Sequence, residues 1–325
     1  MTGPLLVGGY APAEGIGWLT PGPGGWHYSL AVAAPSPSWL TAHPRLPVVY
    51  ACLEASGAIQ AFRLGEGRLE AWSEPVPVGD GPCHASVIDD QLWVSCWGDG
   101  QVGLVPLDGE GRPQRPTLLP LPAARAGGRP PRAHQALALP DGTVLTIDMG
   151  VDLLRWWRDG SLTAELQLPE GSGPRHAVAG DGLVHVVTEG SCEVLTLEPS
   201  GGWRVVDAVR LPAARPGAGD FASGIVRHGR RLVTAVRGGD VVVVLEPRGG
   251  GLKVVASLPA GVAWPRSLTS VDDTLIVTGE RSGQVALLPL DPQTSAIGAP
   301  GLVPAPAPTA VIRAPAPPGT EPGVR

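Results

Sequence analysis

Val48-Val49-Tyr50-Ala51-Cys52-Leu53-Glu54 is a short apolar run closed by a carboxylate, and Gly57, Ile59 and Phe62 follow the glutamate at +3, +5 and +8. Two such runs around a small or polar turn read as a β-hairpin. The spacing recurs from Trp97 (Gly100, Val102, Val105), Met149 (Asp152, Leu154, Trp157) and Glu189 (Cys192, Val194, Leu197). It recurs again from Arg237 (Asp240, Val242, Leu245) and Glu280 (Gly283, Val285, Leu288). The anchors lie 43, 52, 40, 48 and 43 residues apart. Upstream of each hairpin another short segment opens, usually on a proline: Pro37-Ser38-Trp39-Leu40, Pro82-Cys83-His84, Pro131-Arg132-Ala133-His134, Pro174-Arg175-His176 and Pro265-Arg266-Ser267. In the fifth unit Ala222-Ser223-Gly224-Ile225 takes that place. Downstream come a glycine-rich turn and one more strand, as in Gly67-Arg68-Leu69-Glu70-Ala71-Trp72. Four strands in a unit of this length is the signature of a β-propeller blade.

Six units are complete, and the two ends supply a seventh. Leu5-Leu6-Val7-Gly8-Gly9-Tyr10 has the form of a second strand and Gly15-Ile16-Gly17-Trp18-Leu19 that of a third, with no inner strand before them. Pro308-Thr309-Ala310-Val311-Ile312 has the inner-strand form, 43 residues after Pro265. The expected fold is therefore all-β: a seven-bladed propeller of four-stranded antiparallel blades, its N-terminal blade completed by a C-terminal strand. That closure leaves no open sheet edge between the first and last blades. The propeller is expected over 1–313, and 314–325, a proline-rich tail, is expected to be disordered.

Composition agrees and removes other classes. The chain has 325 residues, 43% of them apolar, enough for a large core. Gly 46 and Pro 37 make up about a quarter of it, which excludes an all-helical protein because both break helix interiors. The single lysine, Lys253, is followed by Val-Val, so no P-loop is present, and neither a His-Glu-x-x-His nor a Gly-x-Ser-x-Gly pattern occurs. A formal charge of −6 disfavours nucleic acid as a partner. No apolar stretch approaches a membrane span, and the first positive charge, Arg45, comes too late for a basic signal-peptide n-region. Cys52, Cys83, Cys96 and Cys192 are too dispersed for a zinc knuckle and read as reduced, mostly buried thiols. The simplest address is the cytoplasm.

At this point the sequence resembles the seven-bladed propeller lactonases, a group holding propeller-type 6-phosphogluconolactonases and carboxy-cis,cis-muconate cyclising enzymes. The likeness covers nearly the whole chain. It rests on Pro37-Ser38, Pro82-Cys83-His84, Gly171-Ser172-Gly173-Pro174-Arg175-His176, Asp148-Met149-Gly150-Val151-Asp152, Thr188-Glu189 and Ala235-Val236-Arg237-Gly238. Departures exist: the family's His-Ala-His-Gln is Arg132-Ala133-His134-Gln135, its Ala-Asn-Tyr-Gly is Ser95-Cys96-Trp97-Gly98, and the chain has no asparagine. The resemblance implies a site of one His, two Arg and one Glu around the central channel, which by motif falls on His134, Arg175, Glu189 and Arg237. WD-repeat scaffolds fit less well, since no tryptophan is followed by Asp. Six-bladed metal-dependent lactonases use asparagine ligands that this chain lacks.

Those residue types suit lactone opening. A fixed guanidinium stabilises the charge that builds on the carbonyl oxygen. A second can clamp a phosphate or carboxylate. His134 or Glu189 can activate water, and the sequence does not choose between them. Arg132, Arg266, His84 and His176 are expected to add substrate contacts at the same mouth. The competing readings are structural: an Arg175–Glu189 salt bridge, a hydrogen-bonded His134, core roles for His84 and His176, and loop-fixing roles for Gln135 and Asp148. Glu54 and Glu280 read as partners of neighbouring arginines only, Trp156 and Trp157 as blade packing, and Arg227, Arg230 and Arg231 as a solvated turn. The expected activity is metal- and cofactor-free hydrolysis of a small anionic lactone, best 6-phosphogluconolactone. The alternatives are a cycloisomerase on a muconate-type lactone and a catalytically silent ligand-binding propeller.

Overall fold

A computed structural model describes residues 3–123, 128–212, 214–291 and 293–315. Seven antiparallel sheets, each a run of four strands, follow one another along the chain. Blade 1 is typical: Pro37–Ala42, Val48–Leu53, Ala58–Gly65 and Arg68–Ala71, with the short Val76–Pro77 added beside its third strand. Blades 2 to 6 open with Pro82–Ile88, Ala133–Ala138, Pro174–Gly180, Phe221–His228 and Pro265–Val271. Among the described residues the only helix is one 3₁₀ turn, Glu54–Ser56.

Blade 7 closes as the sequence predicts. Pro308–Arg313 pairs with Leu5–Gly9, matching Leu5 to Arg313, Leu6 to Ile312 and Val7 to Val311. Gly15–Gly22 and Gly25–Ala33 complete the sheet. Beyond the last strand, the Ala314 amide still donates to the Pro4 carbonyl at 3.2 Å. The expected disorder of the tail concerns mainly 316–325, which lie outside the described residues.

Burial explains the continuous apolar runs that anchored the repeat. Every residue of Val48–Leu53 is buried, because blades cover both faces of a second strand. Outer strands alternate instead, as in Ser161–Gln167. Trp156 stacks on Trp203 of the next blade with ring centroids 4.7 Å apart, and Trp157 packs with Ile88 and Trp93 of the preceding one, so both pack blades together. The four cysteines are free and buried.

One irregularity repeats in every blade and positions the site. Each inner strand carries a bulge near its start. Pro37 pairs with Leu53 and Trp39 with Cys52, leaving Ser38 unpaired. The same slip isolates Cys83, His134, Arg175, Arg266 and Thr309. In blade 5 the irregularity falls between Ala222 and Ile225, at Ser223 and Gly224. A bulged residue leaves the ladder and re-aims its side chain. Here six of them line one axial cavity, except that Ser223 instead donates to the Pro265 carbonyl of the next blade at 2.7 Å.

Similar side-chain bonds tie the inner strands into a ring. Trp39 donates to Ala85 at 3.2 Å, Ser86 to Ala136 at 2.8 Å and Thr309 to Ser38 at 2.8 Å. Gln135 accepts from the Ala177 amide at 2.6 Å, so it joins two inner strands, where a loop-fixing role was expected. Close approach also demands glycine at one seam: a Cβ on Gly8 would lie 2.1 Å from the Pro37 carbonyl oxygen.

Candidate active site

Four expected residues meet at the end of the axis where the inner strands begin. Arg175 enters from the bulge of blade 4. Glu189 follows the second strand of that blade, its amide held by the Gly173 carbonyl at 2.6 Å. Arg237 ends the second strand of blade 5. Arg175 Nε lies 3.1 Å from Glu189 Oε2, and Arg237 Nη2 lies 2.5 Å from the same oxygen. Both arginine side chains are almost fully enclosed, at 4% and 6% exposure, while Glu189 keeps 21%. His134, from the bulge of blade 3, lines the same axial cavity as Arg175. The Arg175–Glu189 salt bridge foreseen as a structural alternative therefore forms, and it forms inside the cluster. Its partner pair, Glu189 with Arg237, joins blade 4 to blade 5.

Across the axis stands a second group. Arg266 Nη1 lies 3.4 Å from Glu280 Oε2, and Arg266 Nη2 donates to the Tyr10 hydroxyl. Tyr10 donates in turn to Glu54 Oε1 at 3.2 Å. Burial pushes the Tyr10 phenol well above its ordinary range, so it keeps its proton. Three guanidinium groups (175, 237, 266) thus face three carboxylates (54, 189, 280). These six groups balance in formal charge.

Electrostatics keep the imidazoles neutral. Burial lowers the pKa of His84 to about 3, with the Arg175 charge adding to the effect. His134 and His176 go well below the ordinary histidine value for the same two reasons, in the same order. The three rings pack edge to face, His84 to His176 at 5.4 Å and His134 to His176 at 4.9 Å, with Trp39 tilted against His84 at 4.4 Å. Among the described residues no group of three or more His, Cys, Asp or Glu is arranged to hold a metal ion.

Not every expected contact falls on the mouth. His84 and His176 follow the bulged residues and lie one layer deeper, lining an apolar space of about 360 Å³ on the far side of the histidine plug. Arg132 turns aside, donating to the Trp97 carbonyl at 2.9 Å and covering the Trp97 ring at 4.2 Å. In blade 3 the proline stands two residues before the paired Ala133, so His134, not Arg132, is the equivalent of Arg175 and Arg266. Asp148 does fix a loop, accepting from the amides of Arg132, Gly150 and Val151.

Sequence reasoning missed Tyr10 and the aromatic rim. Trp97 is 44% exposed beneath Arg132. Trp264 lies between Arg237, 5.5 Å from its ring centre, and Arg281, 3.3 Å away. Among the described residues neither Arg132 nor Arg281 has a carboxylate partner. A usable signal did exist: the residue directly after the opening proline is the bulged one in five blades. The space enclosed by Tyr10, Glu54, His134, Arg175 and Arg266 is about 10 Å³, room for about one water. A larger ligand must therefore be received at the mouth, over Glu189 and Arg237.

The sequence profile of the family described as "Lactonase, 7-bladed beta-propeller" matches residues 27–313. No curated protein matches the chain. Among solved structures, a periplasmic gluconolactonase of Pseudomonas aeruginosa superposes with a TM-score of 0.85 at 22% identity, covering 96% of this chain and 99% of that one. A Lactobacillus plantarum protein gives 0.87 at 18% identity, over 96% and 99%. A Bacteroides fragilis protein provisionally described as a 6-phosphogluconolactonase gives 0.84 at 17%, over 95% and 97%. At these identities the structural likeness speaks for the fold.

Proposed function

This chain belongs to the seven-bladed β-propeller lactonase family and is a lactonase, and on that premise we propose that it hydrolyses a sugar-type lactone carrying an anionic group, 6-phosphogluconolactone to 6-phosphogluconate being the first choice. The observation that carries the reading is the pair of enclosed guanidinium groups on one carboxylate at the axial mouth. Glu189 Oε2 fixes both arginines. Arg175 Nη2 and Arg237 Nη1 make no hydrogen bond among the described residues, so these N–H groups are free to meet the oxygen on which charge develops. Preorganised donors of this kind act strongly where water is excluded. In this reading Arg281, over Trp264 beside Arg237, would meet the phosphate or carboxylate, and the face of Trp97 that Arg132 leaves uncovered would meet the sugar ring.

Water then adds to the carbonyl carbon, the ring C–O bond breaks, and the departing oxygen takes a proton. Among the sequence candidates, His134 enters this step neutral, able to accept a proton but weakened as a base by burial. Glu189 has one oxygen committed to two arginines. The cytoplasm stays the address of this reading; recovery of the protein from a periplasmic fraction would move the reaction there without altering the site.

The test is a panel of phosphorylated, carboxylated and neutral δ-lactones, with and without chelator, read above spontaneous hydrolysis. The reading expects anionic lactones to turn over unchanged by chelator. It expects Arg237→Ala to cost roughly 2–5 kcal/mol of transition-state stabilisation. If wild type and the Arg175→Ala/Arg237→Ala double variant both match the background on every anionic lactone, hydrolysis of this class is excluded. Ring closure of an unsaturated diacid in the same panel would instead mark a cycloisomerase.

A further inference from the structure

We propose that Glu54 is the general base of this site, held by Tyr10 and facing a one-water space opposite Arg175. The inference rests on the lactonase reading and assigns the step that the sequence left between His134 and Glu189. Glu54 sits at the first hairpin anchor, where the chain leaves Val48–Leu53 through a single 3₁₀ turn. That turn ends on Gly57 in the left-handed region at φ 66°, where a Cβ would also lie 2.6 Å from the Gly79 carbonyl oxygen. The turn therefore holds the glutamate at a fixed height on the axis.

Its two oxygens have different surroundings. Oε1 accepts from the Tyr10 hydroxyl at 3.2 Å. Oε2 is enclosed and has no hydrogen-bond partner among the described residues. An enclosed carboxylate oxygen without a partner is costly unless something bonds to it. The cavity it shares with His134, Arg175, Arg266 and Cys83 has room for about 10 Å³, about one water. A water there would give one proton to Glu54 Oε2 while its oxygen faces the carbonyl polarised by Arg175. The groups around Glu54 match that role. Tyr10 stays protonated and donates, Arg266 lines the same cavity, and burial pushes the Cys83 thiol up to about 12, so it remains uncharged.

The step balances without a further reactant. Water loses a proton to Glu54, and its oxygen bonds to the lactone carbonyl carbon. The ring C–O bond then breaks, and the proton on Glu54 passes to the departing alkoxide. Glu54 is ionised again, and the product is the open hydroxy acid.

Glu54→Gln keeps the shape and the Tyr10 contact but cannot take the proton. With the lactone that wild type hydrolyses best, it should lower kcat about 10²–10⁴-fold, leave KM within about threefold, and remove the pH limb set by ionisation of the base. Tyr10→Phe should lower kcat less and move that limb without abolishing it, which a merely structural role would not do; it also decides the matter if Glu54→Gln does not fold. Wild-type turnover with Glu54→Gln above a tenth of it, or with an unmoved limb in Tyr10→Phe, overturns Glu54 as base and leaves the lactonase reading standing. Wild type at background on every lactone overturns both.

Discussion

Acid should unlock the histidine plug and weaken the whole propeller. His84, His134 and His176 are each 4–5% exposed and neutral, with folded-state pKa values depressed first by burial and then by Arg175. In the unfolded chain each titrates near 6.5. Below that pH the unfolded state binds protons that the folded state refuses, so the stability held by the neutral rings is complete above about pH 6.5. It is lost as pH falls toward the folded value, about 3 for His84. Each ring should cost about 1.4 kcal/mol between about pH 7.5 and 5.5, so the trio should cost roughly 4 kcal/mol. Urea unfolding followed by tryptophan fluorescence at both pH values measures this directly, with an unchanged m-value as the sign that only stability moved. Replacing His84 with Gln should remove about 1.4 kcal/mol of the pH dependence, to which His185, lowered to about 4 mainly by burial, also contributes. A difference below about 1 kcal/mol between the two pH values would refute the neutral, enclosed plug.

Glu189→Gln should leave two enclosed guanidinium groups facing each other without the carboxylate they share. Breaking a buried pair costs about 3–5 kcal/mol, which for a chain of this size lowers Tm by roughly 4–8 °C; calorimetry that finds no drop would mean the pair contributes nothing to the seam between blades 4 and 5. Truncation before Pro308 removes the inner strand of blade 7 and uncovers the enclosed Val7 and Leu5. It should yield insoluble protein or a Tm lowered by more than about 10 °C, and a soluble, cooperatively unfolding truncation would show that the ring does not depend on its closure.

Much of the fold was legible because blade packing writes itself into sequence. Second strands covered on both faces became continuous apolar runs, and the split blade showed as an inner strand at one end and its partners at the other. The site was legible only in part. Arg175, Glu189 and Arg237 stand at positions where a charge inside a strand-and-turn repeat is conspicuous. Tyr10 was hidden because its partners, Glu54 and Arg266, lie 44 and 256 residues away, across the closing seam. Arg132 misled because the bulge of blade 3 starts at Ala133 and not at a proline, which shifts the alignment by two residues. The charge balance of the mouth was equally unreadable, since it depends on which carboxylates fold back to the axis.

The repeated bulge gives the axis an alphabet separate from the scaffold. Ser38, Cys83, His134, Arg175, Ser223 (with Gly224), Arg266 and Thr309 are the places where the seven inner strands step out of their ladders. A residue that pairs with nothing in the sheet can be exchanged without shifting the register of its neighbours. New chemistry can therefore be written one blade at a time, while the strands outside keep the same hydrophobic pattern. Such an arrangement allows a lineage to change what it acts on through single substitutions at the hub, while the rim and the packing between blades remain under unrelated constraints.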